Sequence, residues 1–110
     1  MAHTRTNLLL EQGATFSKTF MLQDSNGNAL NTSPYTASAK MRKHHESANA
    51  TATFTTAFSG ANLTISIDYV TTANIEIGRY VYDVELTNTT ANTVERAVDG
   101  IITVTGEATK

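Results

Sequence analysis

The chain has no cysteine, no tryptophan, a single proline and six glycines, and only 16% of its 110 residues are charged. Without cysteine there is no disulfide, no thiol nucleophile and no zinc ribbon. The net charge of -2 argues against a broad basic surface for nucleic acid. No apolar run approaches the roughly 20 residues that a membrane helix needs. The start Met-Ala-His-Thr-Arg is not followed by an apolar stretch of signal-peptide length, because Leu8-Leu9-Leu10 is too short. No linker, charge run or tandem repeat interrupts the chain, and Pro34 lies in a loop-like stretch. One domain is expected, with residues 1–5 and 106–110 as loose termini.

What is abundant is threonine. There are 20 Thr, 6 Val and 6 Ile, and branched β-carbons suit a pleated surface. Leu, Ile, Val and Phe together make 23 of 110 residues, which predicts a real but thin core. Alternation with a period of two predicts seven extended segments: 6–11, 14–23, 35–45, 51–58, 62–69, 79–87 and 93–105. The inward set is Phe16, Phe20, Leu22, Ala37, Ala39, Met41, Phe54, Leu63, Ile65, Ile67, Tyr80, Tyr82, Val84, Leu86, Ile102 and Val104, and the alternation extends it to Tyr69. Lys18 falls on the apolar face of its segment, which calls for a snorkelling side chain or a bulge. Asn26-Gly27 is the strongest turn signal. Residues 70–77 have room for one helical turn, with Ile75 and Ile77 capping the core. Asp99-Gly100 breaks the alternation of the last segment and reads as a bulge. Short strands joined by polar turns predict an all-β, antiparallel sandwich, with a partly open barrel as the alternative.

No constellation announces catalysis. There is no nucleophile elbow, Cys–His pair or glycine-rich phosphate loop. His44-His45-Glu46 is the nearest approach to a metal cluster, but adjacent strand residues point to opposite faces, and His3 sits near the terminus. Neither a metal nor another cofactor is expected. Asp83 and Glu85 share an outward face, where pairing with a cation such as Arg96 is the expected role. Lys40, Arg42, Lys43, His44 and His45 form the one basic cluster, and alternation puts Lys40, Arg42 and His44 in a single stripe. That stripe is either a solvated face or a docking surface for an acidic partner; no aromatics interleave with it as a nucleic-acid platform requires. Four N-x-[ST] sequons, at Asn31, Asn49, Asn62 and Asn88, are explained by chance among nine asparagines. Tyr35, Tyr69, Tyr80 and Tyr82 would be the aromatics of a sugar-binding face, although most fall on core-facing positions.

Five segments carry a resemblance: L-E-Q-G-A-T-F (10–16), L-Q-D-S-N-G-N-A-L (22–30), Y-T-A-S-A-K-M-R-K (35–43), G-R-Y-V-Y-D-V-E-L (78–86) and V-D-G-I-I-T-V-T (98–105). In this order and spacing the chain resembles small virion structural proteins of tailed bacteriophages, of the kind found in cyanophages. It is also similar to the immunoglobulin-like N-terminal domain of phage baseplate upper proteins. The resemblance implies an immunoglobulin-like sandwich of about seven strands that serves, without enzymatic activity, as a building block of the tail, baseplate or head surface. It carries no catalytic residues. It implies synthesis in the host bacterial cytoplasm, incorporation into the virion, and other virion proteins and the chain itself as partners, with neither nucleic acid nor membrane among them. The chain shows no receptor-binding extension like that of the baseplate protein, so a host-adhesin role is not expected. A carbohydrate-binding module on the same fold is the alternative, weakened by the absence of tryptophan.

Overall fold

A computed structural model describes residues 4–24, 26–43 and 51–106. Nearly all of the regular structure is extended. The strands are β1 (Thr4–Arg5), β2 (Leu8–Glu11), β3 (Phe16–Met21), β4 (Tyr35–Arg42), β5 (Ala52–Ser59), β6 (Asn62–Ile67), β7 (Gly78–Asn88) and β8 (Thr93–Thr105), with one five-residue helix, α1 (Tyr69–Ala73), between β6 and β7. Thr4 and Arg5, expected to be loose, are paired with Val98 and Asp99 of β8.

The strands follow one hydrogen-bonded path, β1-β8-β7-β4-β5-β6-β3, with β2 also on β8. The path folds into two layers because β5 changes partner midway. Its first part, from Ala52 to Phe54, pairs with β4, and its second, from Thr55 to Ser59, pairs with β6. One layer is therefore β1/β2-β8-β7-β4 with the start of β5, and the other is β3-β6 with the end of β5. The last and first strands run parallel, Leu8 opposite Ile102 through Glu11 opposite Thr105. All other pairings are antiparallel.

Inward residues come from every second position, as a half-buried pleated sheet requires. Leu63, Ile65 and Ile67 of β6 face Tyr82, Val84 and Leu86 of β7 and Ile102 and Val104 of β8 across one continuous core. Phe16, Phe54 and Tyr82 form a chain of rings through it, with centroids 5.8 Å and 6.5 Å apart and tilted or edge-on geometry. Such offset contacts suit the ring quadrupoles. All of the expected inward set is buried except Ala37, which packs half-buried against the core, and Tyr69.

Several expectations are corrected. Tyr69 does not continue the alternation of β6: it is 61% exposed. Asp68 ends the strand by capping α1, its carboxylate accepting the Thr71 N–H at 2.8 Å. Ile75 does cap the core, but Ile77, one residue before Gly78, is exposed. The bulge in β8 is Ala97, not Asp99-Gly100, since Val84 pairs with Val98 while Glu85 pairs with Arg96. Gly100 is needed for another reason: a Cβ there would stand 2.2 Å from the Thr6 carbonyl oxygen, where the chain bows between β1 and β2. Lys18 needs no bulge. The ladder with β6 is regular, and β3 is an edge strand, so the exposed ammonium leaves the sandwich at its open side. That open side also decides for a sandwich over a closed barrel.

The link from β6 to β7 is fastened by hydrogen bonds. The buried Thr72 hydroxyl donates to Ala14 O at 2.8 Å and accepts the Gly13 N–H, tying α1 to the β2–β3 turn. At the start of β7 the Tyr80 hydroxyl donates to Glu76 O at 2.8 Å. Tyr82, two residues on, donates its hydroxyl to Thr6 O in the bow.

Candidate functional site

The sequence-predicted stripe lies on the outer face of the larger layer. Strand register sets its surroundings. Lys40 stands opposite Asp83, Asp83 opposite Asp99, and Asp99 opposite Arg5, giving a row of cation, anion, anion and cation across β4, β7, β8 and β1. Arg42 stands opposite Val81, and Val81 opposite Ile101, an apolar row beside the charged one. Glu85 and Arg96 make a further pair.

The two central carboxylates of this face, Asp83 and Asp99, are engaged. Arg96 Nη2 lies 3.7 Å from Asp83 Oδ2, the outward ion pair expected from sequence. Arg5 Nε lies 3.3 Å from Asp99 Oδ1, with the Asp99 side chain 8% exposed beneath an arginine that is 76% exposed. Cations held against the two central anions keep this sheet from carrying like charges side by side unpaired. Lys40, Arg42 and Arg96 line a shallow hollow around Asp83, about 120 Å³ in volume. That is room for a few water molecules at about 30 Å³ each, and well below the roughly 300 Å³ or more of a small-molecule pocket.

Three members of the basic cluster are placed elsewhere or lie outside the described residues. Lys43, outside the stripe by alternation, holds its Nζ 4.7 Å from the centroid of the Tyr80 ring. His44 lies outside the described residues, as do His45, Glu46 and His3, so the proposed stripe is observed at Lys40 and Arg42. Among the described residues no three metal-ligating side chains converge. Asn31 and Asn88 serve turns: Asn31 Oδ1 accepts the Ser33 N–H, and Asn88 Oδ1 accepts those of Thr90 and Ala91.

The tyrosines divide. Tyr80 and Tyr82 are buried, Tyr35 packs half-buried against the core, and Tyr69 alone is largely exposed. Burial raises the Tyr80 phenol above its ordinary range, helped by the nearby Glu76 charge. Burial likewise raises Tyr82, helped by Asp99. Both therefore stay protonated as donors at neutral pH. A wider hollow of about 540 Å³ lies between α1 and the ends of β4 and β5, bordered by Lys43, Val70, Asn74, Glu76 and Tyr80. Sequence reasoning missed Asp99, Arg5 and the bow they fasten; the broken alternation at Asp99-Gly100 was the one trace of it.

No family description matches the chain, and no curated protein matches it. Solved structures do. A titin M10–obscurin-like 1 Ig complex contains a chain with a TM-score of 0.52 at 14% identity, over 97% of this chain and 92% of that one. The fold is immunoglobulin-like. Listeria monocytogenes InlP also matches with a TM-score of 0.52, at 16% identity over 93% of this chain, which spans only 26% of the InlP chain. A family 123 glycoside hydrolase from Clostridium perfringens reaches 0.43 at 12% identity, too distant to bear on activity. Between the two layers of this chain Tyr82 meets Phe54 edge-on, with the ring centroids 6.5 Å apart.

Proposed function

We propose that this chain is a non-enzymatic structural subunit of a tailed-bacteriophage particle, an assembly module that docks onto other virion proteins and onto copies of itself. The observation that carries the reading is the outer face of the larger layer, where Lys40, Arg42, Asp83 and Arg96 form a shallow charged patch beside an apolar row. A patch of this shape steers and orients a protein partner through opposite charge and offers little enclosure to a small substrate. Placement in a phage particle is supported by the ordered set of five segments described above, which spans residues 10–105. Their strand parts lie on β2, β3, β4, β7 and β8, and the remainder form turns between strands.

The test has two parts. Mass spectrometry and electron microscopy of purified particles from the phage encoding the chain are expected to find and locate it; expression during infection without incorporation would refute the virion reading. The K40E/R42E double variant, folded by circular dichroism, is expected to incorporate or self-associate about tenfold less well at low salt, the parent losing the same advantage at high salt. Equal assembly of parent and variant at both salts would make the stripe a solvated face.

A further inference from the structure

A second surface lies on the opposite layer, and the argument for it does not depend on the role of Lys40 and Arg42. β3 ends the strand path, so among the described residues one of its sides has no strand partner. Which amides face that side follows from the ladder. The Leu22 N–H donates to Ala61 O at 2.9 Å, and Leu22 continues the register that sets Phe20 opposite Leu63 and Phe16 opposite Ile67. The even-numbered residues thus turn their backbone groups toward β6. Those of Ser17, Thr19 and Met21 point away from it, to the open edge. The hydroxyls of Thr19 and Thr64, 2.8 Å apart, fit the same assignment, because side chains lie closest in the non-hydrogen-bonded pairs.

This edge borders a seam between the layers. Two hollows run along it, one of about 240 Å³ against Thr4, Thr6 and Val98, and one of about 470 Å³ against Leu8, Leu9 and Glu11. Lys18 lines both. It sits between Phe16 and Phe20 on the inward side of β3, yet it is exposed, and among the described residues no carboxylate is within salt-bridge distance of it. An inward lysine on an edge strand discourages indiscriminate strand pairing, since a docked strand buries its charge. A second copy of this chain does not solve the problem. In the three antiparallel registers centred on residues 17, 18 and 19 of β3, Lys18 meets Phe16, another Lys18 or Phe20, so its charge stays unpaired. A carboxylate at that position solves it.

We propose that the β3 edge accepts an extended segment of a different polypeptide by strand addition. The segment carries a carboxylate opposite Lys18 and an apolar residue two positions to either side, opposite Phe16 and Phe20. Backbone bonds to Ser17, Thr19 and Met21 supply affinity, and the buried ion pair supplies selection against this chain itself.

The experiment titrates the isotope-labelled full chain with acetyl-Thr-Val-Thr-Glu-Thr-Val-Thr-amide and with the same peptide carrying Lys in place of Glu, following amide shifts by NMR. The Glu peptide is expected to shift Ser17, Thr19 and Met21 with a Kd of about 1 mM or tighter. The Lys peptide binds at least about tenfold more weakly. Lys18→Glu reverses the order of the two peptides. Thr19→Pro removes an outward N–H without touching the ladder to β6 and abolishes binding while the fold persists. Equal response to both peptides, no response at β3, an unchanged order in Lys18→Glu, or full binding by Thr19→Pro would overturn the proposal. So would a Lys18→Ile variant that dimerises while the parent ignores both peptides, which would leave Lys18 a guard against self-pairing only.

Discussion

Replacing Gly100 by alanine tests the bow between β1 and β2. The added methyl would stand 2.2 Å from Thr6 O and 2.9 Å from Thr6 C, both backbone atoms, and 3.2 Å from Asn7 Oδ1. To restore ordinary contact at 3.4 Å the carbonyl must retreat by about 1.2 Å. Three hydrogen bonds depend on its position: Thr6 N–H to Asp99 O at 2.9 Å, Ile101 N–H to Asn7 Oδ1 at 3.1 Å, and the Tyr82 hydroxyl to Thr6 O. Each is worth about 1 kcal/mol, and a buried hydroxyl left without an acceptor costs about 1–3 kcal/mol. The expected loss is about 3–5 kcal/mol, a large share of the roughly 5–15 kcal/mol of a typical domain. With a urea dependence of about 1–3 kcal/mol per molar, the unfolding midpoint falls by roughly 1–5 M. Gly27 and Gly60 are the controls. Both have positive φ, +84° and +60°, but a Cβ at either meets nothing within 4 Å. Alanine there costs backbone strain alone, about 1–2 kcal/mol. If Gly100→Ala is no worse than Gly60→Ala in urea melts, the bow is free to move and the reasoning fails.

Ile65→Ala, at a fully buried position of β6, is expected to cost about 2–5 kcal/mol by the same melts; a cost under about half a kcal/mol would mean the β6 register is misassigned. Tyr82→Phe removes the bond to Thr6 O and costs about 1–2 kcal/mol at neutral pH. Because the folded phenol is raised above 10.0, its contribution is full below about pH 10 and fades as pH rises toward the folded value. The alkaline loss of stability should therefore be shallower in Tyr82→Phe than in the parent. Asp68 lies below its ordinary 3.8, chiefly through the hydrogen bonds from Thr71. Its cap is thus complete above the ordinary carboxylate range and is lost as pH falls through the lowered value; the Thr71 amide shift, followed by NMR, should move with a midpoint below 3.8.

The elements were legible because alternation is a local property. Leu63, Ile65 and Ile67, or Tyr80 through Leu86, state their burial within a few residues. What escaped was decided by distant or competing groups. Asp68 had two fates, outward strand residue or helix cap, and the threonine three places on decided for the cap. At Ala97 the extra residue is hidden because Ala97 and Val98 are both apolar, so no break in pattern marks it. Arg96 was legible as the partner of Asp83 because neighbouring antiparallel strands bring them together. The Arg5–Asp99 pair spans 94 positions and depends on a parallel contact between the first and last strands that no local pattern encodes. Lys40 and Arg42 were placed on one face by alternation alone, whereas their neighbours Val81 and Asp83 required the register.

That parallel contact has a mechanical meaning. The chain enters beside Val98 at Thr4 and leaves beside Glu11 at Thr105, at opposite ends of the same ladder. Tension passed along the polypeptide pulls β1/β2 and β8 in opposite directions along their length, so the bonds of the ladder bear the load together instead of peeling apart singly. Pulled from Thr4 and Thr105, the domain loads this short joint in shear, with the core behind it.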